Sequence, residues 1–156
     1  PLIRVMPNVA ATVGQSMTAL TACRTSDAQV DAVRDLMNSV GRTILIDEDY
    51  FPVFQALASC SPAWYFQIID TFARAGLKYG LSKDSAVEIA AQAMAGAATL
   101  LLAEREAGTI PAQLIDRVTS PGGTTIAGLL AAEEGGLSNA LVGAVDASIH
   151  ADSHLG

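Results

Sequence analysis

A long apolar segment in the middle of the chain limits what the chain can fold into. Residues 89–103 are almost all apolar, and the helical pattern around them runs from about Lys83 to about Arg105. At ~1.5 Å per residue such a helix is about 33 Å long. A helix that is apolar on nearly all sides needs apolar neighbours on every side, and a domain of roughly a hundred residues hardly provides them. We therefore expect an intertwined homodimer.

The glycine-rich segment Thr119–Thr125 lies between two short helical patterns. Its sequence, TSPGGTT, contains turn-forming residues and two glycines, which permit positive φ and let a ligand approach the backbone. Thr124 and Thr125 open the next helix, where free N–H groups and the positive dipole end attract anions. The segment therefore favours a cradle for a carboxylate or phosphate. The pattern alone also fits an ordinary and more common feature, a helix–loop–helix turn with a Thr N-cap.

The secondary-structure signals change character near Asp49. Before it the sequence predicts two strands, a helix and a third strand, a fragment of α/β architecture. After it strand signals vanish and helix caps recur, with Ser61 and Ser82 expected as N-caps. The predicted strands are 2–5, 15–22 and 42–46; the predicted helices are 28–40, 50–59, 61–80, 83–105, 111–118, 125–134 and 138–151. We therefore predict domains at 1–49 and 50–156.

Composition excludes several classes of partner. The net charge is −7 and the nine Lys and Arg are scattered, so we expect neither nucleic acid nor an anionic membrane surface as a partner. The apolar stretch of residues 89–103 is shorter than the ~20 residues that span a bilayer. A hydrophobic share of 51% instead suggests a partner subunit.

Cysteine and histidine usage adds two expectations. Cys23 and Cys60 are too few for a disulfide framework, so we expect free, buried thiols and a cytoplasmic location. His150 and His154 have helical metal-ligand spacing, yet no third ligand accompanies them. We therefore expect no metal.

The glycine-rich segment also carries a family resemblance. Ser120–Leu129, SPGGTTIAGL, closely resembles the signature of pyrroline-5-carboxylate reductase, the last enzyme of proline synthesis. Five further segments resemble this family in the family's order: RVMPN at 4–8, SPA at 61–63, residues 73–80, EGG at 134–136 and AVDAS at 144–148. The resemblance covers nearly the whole chain.

The resemblance implies a mainly α fold. Residues 1–49 would be the C-terminal remnant of an NAD(P)-binding Rossmann-like domain. Residues 50–156 would be an all-helical dimerisation and substrate-binding domain, similar to the C-terminal domain of 6-phosphogluconate dehydrogenase. The full family begins with a GxGxxG turn that holds the dinucleotide, and this sequence contains none. We therefore expect the chain to be the C-terminal part of a longer protein.

The resemblance also implies the site. The substrate-binding residues would be Ser120, Pro121, Gly122, Gly123, Thr124 and Thr125, with Ser120, Gly123 and Thr124 bound to the carboxylate of 1-pyrroline-5-carboxylate. Thr125 would be catalytic, beside the imine nitrogen, in hydride transfer from NADPH or NADH. Because a neutral hydroxyl is a poor acid, we expect Thr125 to orient the substrate, with water or a pre-protonated iminium supplying the proton. Met6, Pro7 and Asn8, expected at the end of a parallel strand, would lie near the nicotinamide.

Two departures from the family pattern keep alternatives open. Many relatives continue MPN with Thr-Pro, where this chain has Val9-Ala10, and many read SGSGPA where this chain reads ASCSPA at 58–63. A related NAD(P)-dependent imine or oxoacid reductase therefore remains an alternative, as does a homodimerisation module without catalytic activity.

Overall fold

The computed structural model describes residues 1–154; Leu155 and Gly156, the last residues of the predicted helical domain, lie outside the described residues. The chain is mainly α-helical with a small three-stranded sheet, as predicted. Its contacts form two compact units: one is Pro1–Trp64 together with the chain from Val142 onward, and the other is Tyr65–Leu141. The compact units do not follow the predicted domain boundary at residue 49, which stays a prediction.

The first unit contains the sheet. Strand β1 (Leu2–Met6) pairs antiparallel with β2 (Ser16–Cys23), and β2 pairs parallel with β3 (Gly41–Leu45). Helix α1 (Asp27–Asn38) connects the two parallel strands, which is the usual form of such a crossover. The expectation that β1 ends as a parallel strand is wrong for the strands described. The connection between β1 and β2, a 3-10 turn at Val9–Val13, is too short for a crossover.

The core of the first unit lies between the sheet and the helices that follow it. Phe51, Phe54 and Ala58 pack with Ala19 of β2, and Met6, Met17 and Ile46 pack against this cluster. The guanidinium of Arg4 lies 4.3 Å from the centroid of the Phe51 ring and pairs with Glu48. The cluster explains why residues just after position 49 belong to the same compact unit as the sheet.

A π-helical turn interrupts the helix predicted over residues 50–59. Helix α2 (Phe51–Phe54) continues into the π-helical turn Gln55–Cys60, which continues directly into α3 (Ser61–Lys78). The prediction that Ser61 is an N-cap is therefore wrong. Ser61 is 3% exposed, and its hydroxyl donates a hydrogen bond of 2.6 Å to the carbonyl oxygen of Leu57.

The remaining helices follow the predicted order. They are α4 (Lys83–Glu104), α5 (Pro111–Val118), α6 (Thr124–Glu134) and α7 (Leu137–Asp152). The predicted cap at Ser82 is confirmed, because its side chain accepts a hydrogen bond of 3.1 Å from the Ser85 N–H. Asp70 of α3 bridges to Lys83 at 2.9 Å and to Arg74 at 2.7 Å. The hydrogen bond from Lys83, more than any other cause, lowers the pKa of Asp70.

Helix α4 exposes its apolar surface. With the 3-10 turn that follows, it covers Lys83–Ala107 and is, by length and composition only, long and apolar enough to cross a membrane. Of its most apolar 18 residues, 6% are buried within the chain. Ile89, Leu100 and Leu102 are 58%, 47% and 44% exposed. The described residues of this chain therefore do not provide the apolar neighbours that such a helix requires.

Candidate active site

The signature loop, residues 119–123, connects α5 to α6 by a tight turn. The Thr119 hydroxyl donates to the Ile115 carbonyl oxygen at 2.9 Å and so closes the end of α5. The Gly123 N–H donates to the Ser120 carbonyl oxygen, also at 2.9 Å. Gly122 has φ +67°, a left-handed conformation that favours glycine. The sequence PGG therefore folds the chain back at once into the next helix.

Gly123 allows an unusually close approach at the start of α6. A Cβ atom on Gly123 would lie 2.4 Å from the Ser120 hydroxyl oxygen and 3.1 Å from the Ser120 carbonyl oxygen. A larger residue at position 123 would therefore require the Ser120 side chain to rotate or the backbone to shift by a few tenths of an ångström. The absence of a Cβ brings the Ser120 hydroxyl next to the N-terminus of α6.

The helix–loop–helix turn of the ordinary interpretation is confirmed, and only its Thr N-cap is wrong. Gly123 is the N-cap of α6 and Thr124 is its first residue, with no side-chain cap. Among residues 1–154 the hydroxyls of Ser120, Thr124 and Thr125 make no hydrogen bond, and all three residues are exposed. The signature loop and the first two residues of α6 therefore present three hydroxyls that have no partner within residues 1–154, at the positive end of a helix dipole.

Backbone donors add to these hydroxyls. The first intrahelical bond of α6 runs from the Ala127 N–H to the Gly123 carbonyl oxygen at 3.3 Å, so the N–H groups of residues 124–126 precede the helical ladder. The Gly123 N–H is already used within the turn. Gly123 thus contributes close approach, while donors for an anion come from the residues after it. No residue from 119 to 125 is ionisable, so binding there relies on dipoles.

The predicted cofactor residues lie in the first compact unit. Met6 ends β1 and packs against the Phe51 cluster, and Pro7 and Asn8 connect β1 to the 3-10 turn that begins at Val9. The Asn8 side-chain NH₂ donates to the Ala58 carbonyl oxygen at 2.8 Å. The Asn8 Oδ1 is buried and has no hydrogen-bond partner among residues 1–154. Met6, Pro7 and Asn8 belong to one unit and the signature loop to the other.

Sequence reasoning missed two partners of Asn8. Its backbone N–H donates to the Ser16 hydroxyl at 3.3 Å, and its side chain reaches the Ala58 carbonyl. A backbone carbonyl leaves no signal in a sequence. Ser16 lies in the predicted strand 15–22, and the strand pattern does not indicate what its hydroxyl binds. Cys23 and Cys60 are free thiols as predicted, but the expectation that they are buried is wrong, because Cys23 is exposed and Cys60 is partly exposed.

The chain matches known proteins over its length. Residues 48–155 match the family model described as pyrroline-5-carboxylate reductase dimerisation. A protein of Corynebacterium melassecola named pyrroline-5-carboxylate reductase is 34% identical over 157 residues, which cover 100% of this chain and 57% of that protein. A protein of the same name from Treponema pallidum is 41% identical over 76% of this chain and 44% of its own length.

Solved structures agree in fold. The pyrroline-5-carboxylate reductase of Coxiella burnetii superimposes with a TM-score of 0.92 at 31% identity, over 99% of this chain and 57% of that one. The corresponding Streptococcus pyogenes enzyme gives a TM-score of 0.85 at 41% identity, over 96% and 57% of the two chains. The chain spans about half the length of these relatives. It belongs to the pyrroline-5-carboxylate reductase family.

Proposed function

We propose that this chain is the substrate-binding and dimerisation part of a pyrroline-5-carboxylate reductase, which reduces 1-pyrroline-5-carboxylate to L-proline. The observation that carries the proposal is the geometry of the signature loop. Three hydroxyls that have no partner among the described residues lie with the first N–H groups of α6 at one turn, where Gly123 leaves room. In this proposal the dinucleotide-binding segment of the relatives joins this chain to make the complete reductase.

The loop suits a cyclic imino acid. A carboxylate placed at the N-terminus of α6 accepts hydrogen bonds from the N–H groups of residues 124–126 and from the hydroxyls of Ser120 and Thr124. These contacts hold the ring in one orientation. The Thr125 hydroxyl, one residue further, then lies beside the imine nitrogen. It orients the substrate, and the proton reaches nitrogen from water or arrives on a pre-protonated iminium.

The cofactor of this proposal is NADPH or NADH, which supplies the hydride for the imine carbon. A Plasmodium falciparum pyrroline carboxylate reductase structure with NADP bound has a TM-score of 0.87 with this chain at 26% identity, over 100% of this chain and 63% of that one. The turn at Met6-Pro7-Asn8 fits the edge of such a site, because the buried Oδ1 of Asn8 is an acceptor without a partner among residues 1–154. In this role Met6 and Pro7 shape the turn beside the nicotinamide. The exposed Cys23 thiol favours a reducing, cytoplasmic location.

The homodimer is part of the same proposal. The exposed apolar surface of α4 and the match to a dimerisation model support burial of this helix against a second copy of the chain. We expect light scattering of the purified chain to give about twice the 16.1 kDa of one chain, or a multiple of that dimer. A stable, folded monomer would contradict the homodimer.

A pair of substitutions at Thr125 tests the proposed function. Thr125→Ala removes the hydroxyl and leaves a good helix former, so kcat and kcat/KM for the imino acid should fall together, by roughly ten- to a hundredfold. Thr125→Ser keeps the hydroxyl and should keep most of the activity. Steady-state kinetics of the complete reductase measure both. A Thr125→Ala enzyme with a lower Tm and unchanged kinetics would mean that Thr125 has only a structural role.

A further inference from the structure

Asn8 has an orientation that its neighbours fix. Its side-chain nitrogen lies 2.8 Å from the carbonyl oxygen of Ala58, and only the NH₂ end of an amide can donate to a carbonyl. Ala58 is 8% exposed, so this hydrogen bond lies at the edge of the Phe51 cluster. The bond joins residues that are 50 positions apart in the chain.

The acceptor of this bond belongs to the π-helical turn Gln55–Cys60. In that turn the Ser61 N–H reaches back five residues to the Ala56 carbonyl oxygen. The next two carbonyls are bound by side chains: Leu57 by the Ser61 hydroxyl at 2.6 Å, and Ala58 by Asn8. π-helical turns are rare in proteins, and those that occur are often found at functional sites. Asn8 and Ser61 therefore hold the irregular turn from two sides.

Asn8 is also held from the sheet. Its backbone N–H donates to the Ser16 hydroxyl at 3.3 Å, and the Ser16 and Thr18 hydroxyls lie 3.0 Å apart. Ser16 is 2% exposed and Thr18 is fully buried. A chain of hydrogen bonds thus runs from β2 through Asn8 to the π-helical turn. Buried hydrogen-bond networks rigidify what they connect when all their members are satisfied, and here the Asn8 Oδ1 is the atom that has no partner among residues 1–154.

We propose that Asn8 is a positioning residue, which ties the turn after β1 to the π-helical turn and so holds the Met6-Pro7 backbone in place for the reaction. The hydrogen bond from Asn8 to Ala58 lies within the first compact unit. Its catalytic consequence rests on the proposed function, in which this turn borders the nicotinamide. Asn8 thus acts through the backbone that it fixes.

The substitution Asn8→Asp tests the hydrogen bond from residue 8 to the Ala58 carbonyl oxygen, because only the protonated carboxyl can donate it. An ionised carboxylate at position 8 has no proton to donate to the Ala58 carbonyl, whereas a protonated carboxyl donates through its O–H. Burial and the facing carbonyl raise the pKa of this carboxyl above its unfolded value of about 3.9. The folded state then binds the proton more tightly than the unfolded state. The stability of the variant must therefore fall, relative to wild type, as pH rises from about 4 through that raised pKa.

The measurement is the Tm of the purified chain as a function of pH. We expect Asn8→Asp to approach the wild-type Tm near pH 4 and to fall progressively below it towards neutral pH. Neither recorded partner of Asn8, Ser16 or Ala58, is titratable. Asn38→Asp is the matched control: Asn38 is exposed and already accepts a hydrogen bond from Thr43, which an ionised carboxylate retains. Because this carboxyl is exposed and the Thr43 bond opposes the effect of the α1 C-terminus on it, its Tm difference from wild type should change much less with pH than that of Asn8→Asp.

Kinetics of the complete reductase test the consequence for catalysis. At neutral pH, Asn8→Asp should lower kcat/KM for the reduced dinucleotide about tenfold, the equivalent of one lost hydrogen bond, and lowering the pH should restore part of the loss relative to wild type. The KM for the imino acid should change less than about twofold, because the signature loop is intact.

The outcomes separate the two levels of the proposal. If the Tm difference between Asn8→Asp and wild type is absent or does not depend on pH, the hydrogen bond from Asn8 to Ala58 does not connect the two turns. A pH-dependent Tm with an unchanged kcat/KM for the dinucleotide would overturn the positioning role. A wild-type protein without reductase activity would contradict the proposed function and with it the catalytic role of Asn8, while the Tm series still decides the tie.

Discussion

Gly123→Val is expected to lower kcat/KM for 1-pyrroline-5-carboxylate by about a hundredfold or more in the complete reductase. The new Cβ would lie 2.4 Å from the Ser120 hydroxyl oxygen, so either Ser120 rotates away or the start of α6 shifts. Both changes displace the donors of the signature loop by the order of an ångström, and misplacement on this scale costs about a hundredfold. The helices themselves should remain folded, since residues 120 and 123 are on the surface or nearly so.

Gly128→Ala is the matched control for Gly123→Val. Gly128 lies in the same helix, and a Cβ there meets no atom within 4 Å. Alanine should favour the helix by up to about 1 kcal/mol and leave the kinetics of the signature loop unchanged. If Gly123→Val were as active as Gly128→Ala, the signature loop would not be the substrate cradle.

Gly41→Ala is expected to destabilise the first compact unit by about 3 kcal/mol or more. A Cβ at Gly41 would lie 2.1 Å from the carbonyl oxygen and 2.4 Å from the nitrogen of Ser16, its partner in the parallel pairing of β2 with β3. Backbone atoms cannot rotate away as a side chain can, so the strands must separate. Overpacking usually costs about 1–3 kcal/mol, and a clash with backbone belongs at the upper end or beyond.

The free energy of unfolding in urea measures the Gly41 effect. Gly14→Ala provides the comparison, because Gly41 and Gly14 both have a positive φ, +155° and +70°. A Cβ at Gly14, however, meets no atom within 4 Å. Alanine at Gly14 should cost about 1–2 kcal/mol, from backbone strain alone. Equal stability of the two variants would show that the close approach of β3 to Ser16 contributes nothing.

Sequence patterns predicted the parts of this fold that local chemistry determines. Ser82 is followed by a regular helical pattern, and Pro111 opens a helix at the position where a missing N–H costs nothing; both helices begin where expected. The sequence also predicted that one chain could not bury all of α4, because residues 89–103 are apolar on nearly every side of the helix. The family match over residues 48–155 agrees with the resemblance of the signature segment.

Features that depend on distant residues were not predictable in this way. Ser61 looks like an N-cap because Pro62 follows it, yet α2 approaches from the N-terminal side and absorbs it into a continuous helix. The tie from Asn8 to Ala58 depends on a backbone carbonyl 50 positions away. At the start of α6 the sequence suggested Thr as the cap, whereas Gly123 is the N-cap. The hydroxyls of Thr124 and Thr125 make no hydrogen bond within the described part of the chain.

The proposal that this chain holds a cyclic imino acid for reduction is tested by the oxidation of NADPH and of NADH by the complete reductase, followed by absorbance with and without 1-pyrroline-5-carboxylate. We expect oxidation that depends on the imino acid, saturates with it and yields L-proline. A folded, oligomeric protein that oxidises neither dinucleotide in response to this substrate would show that the chain does not serve this reaction.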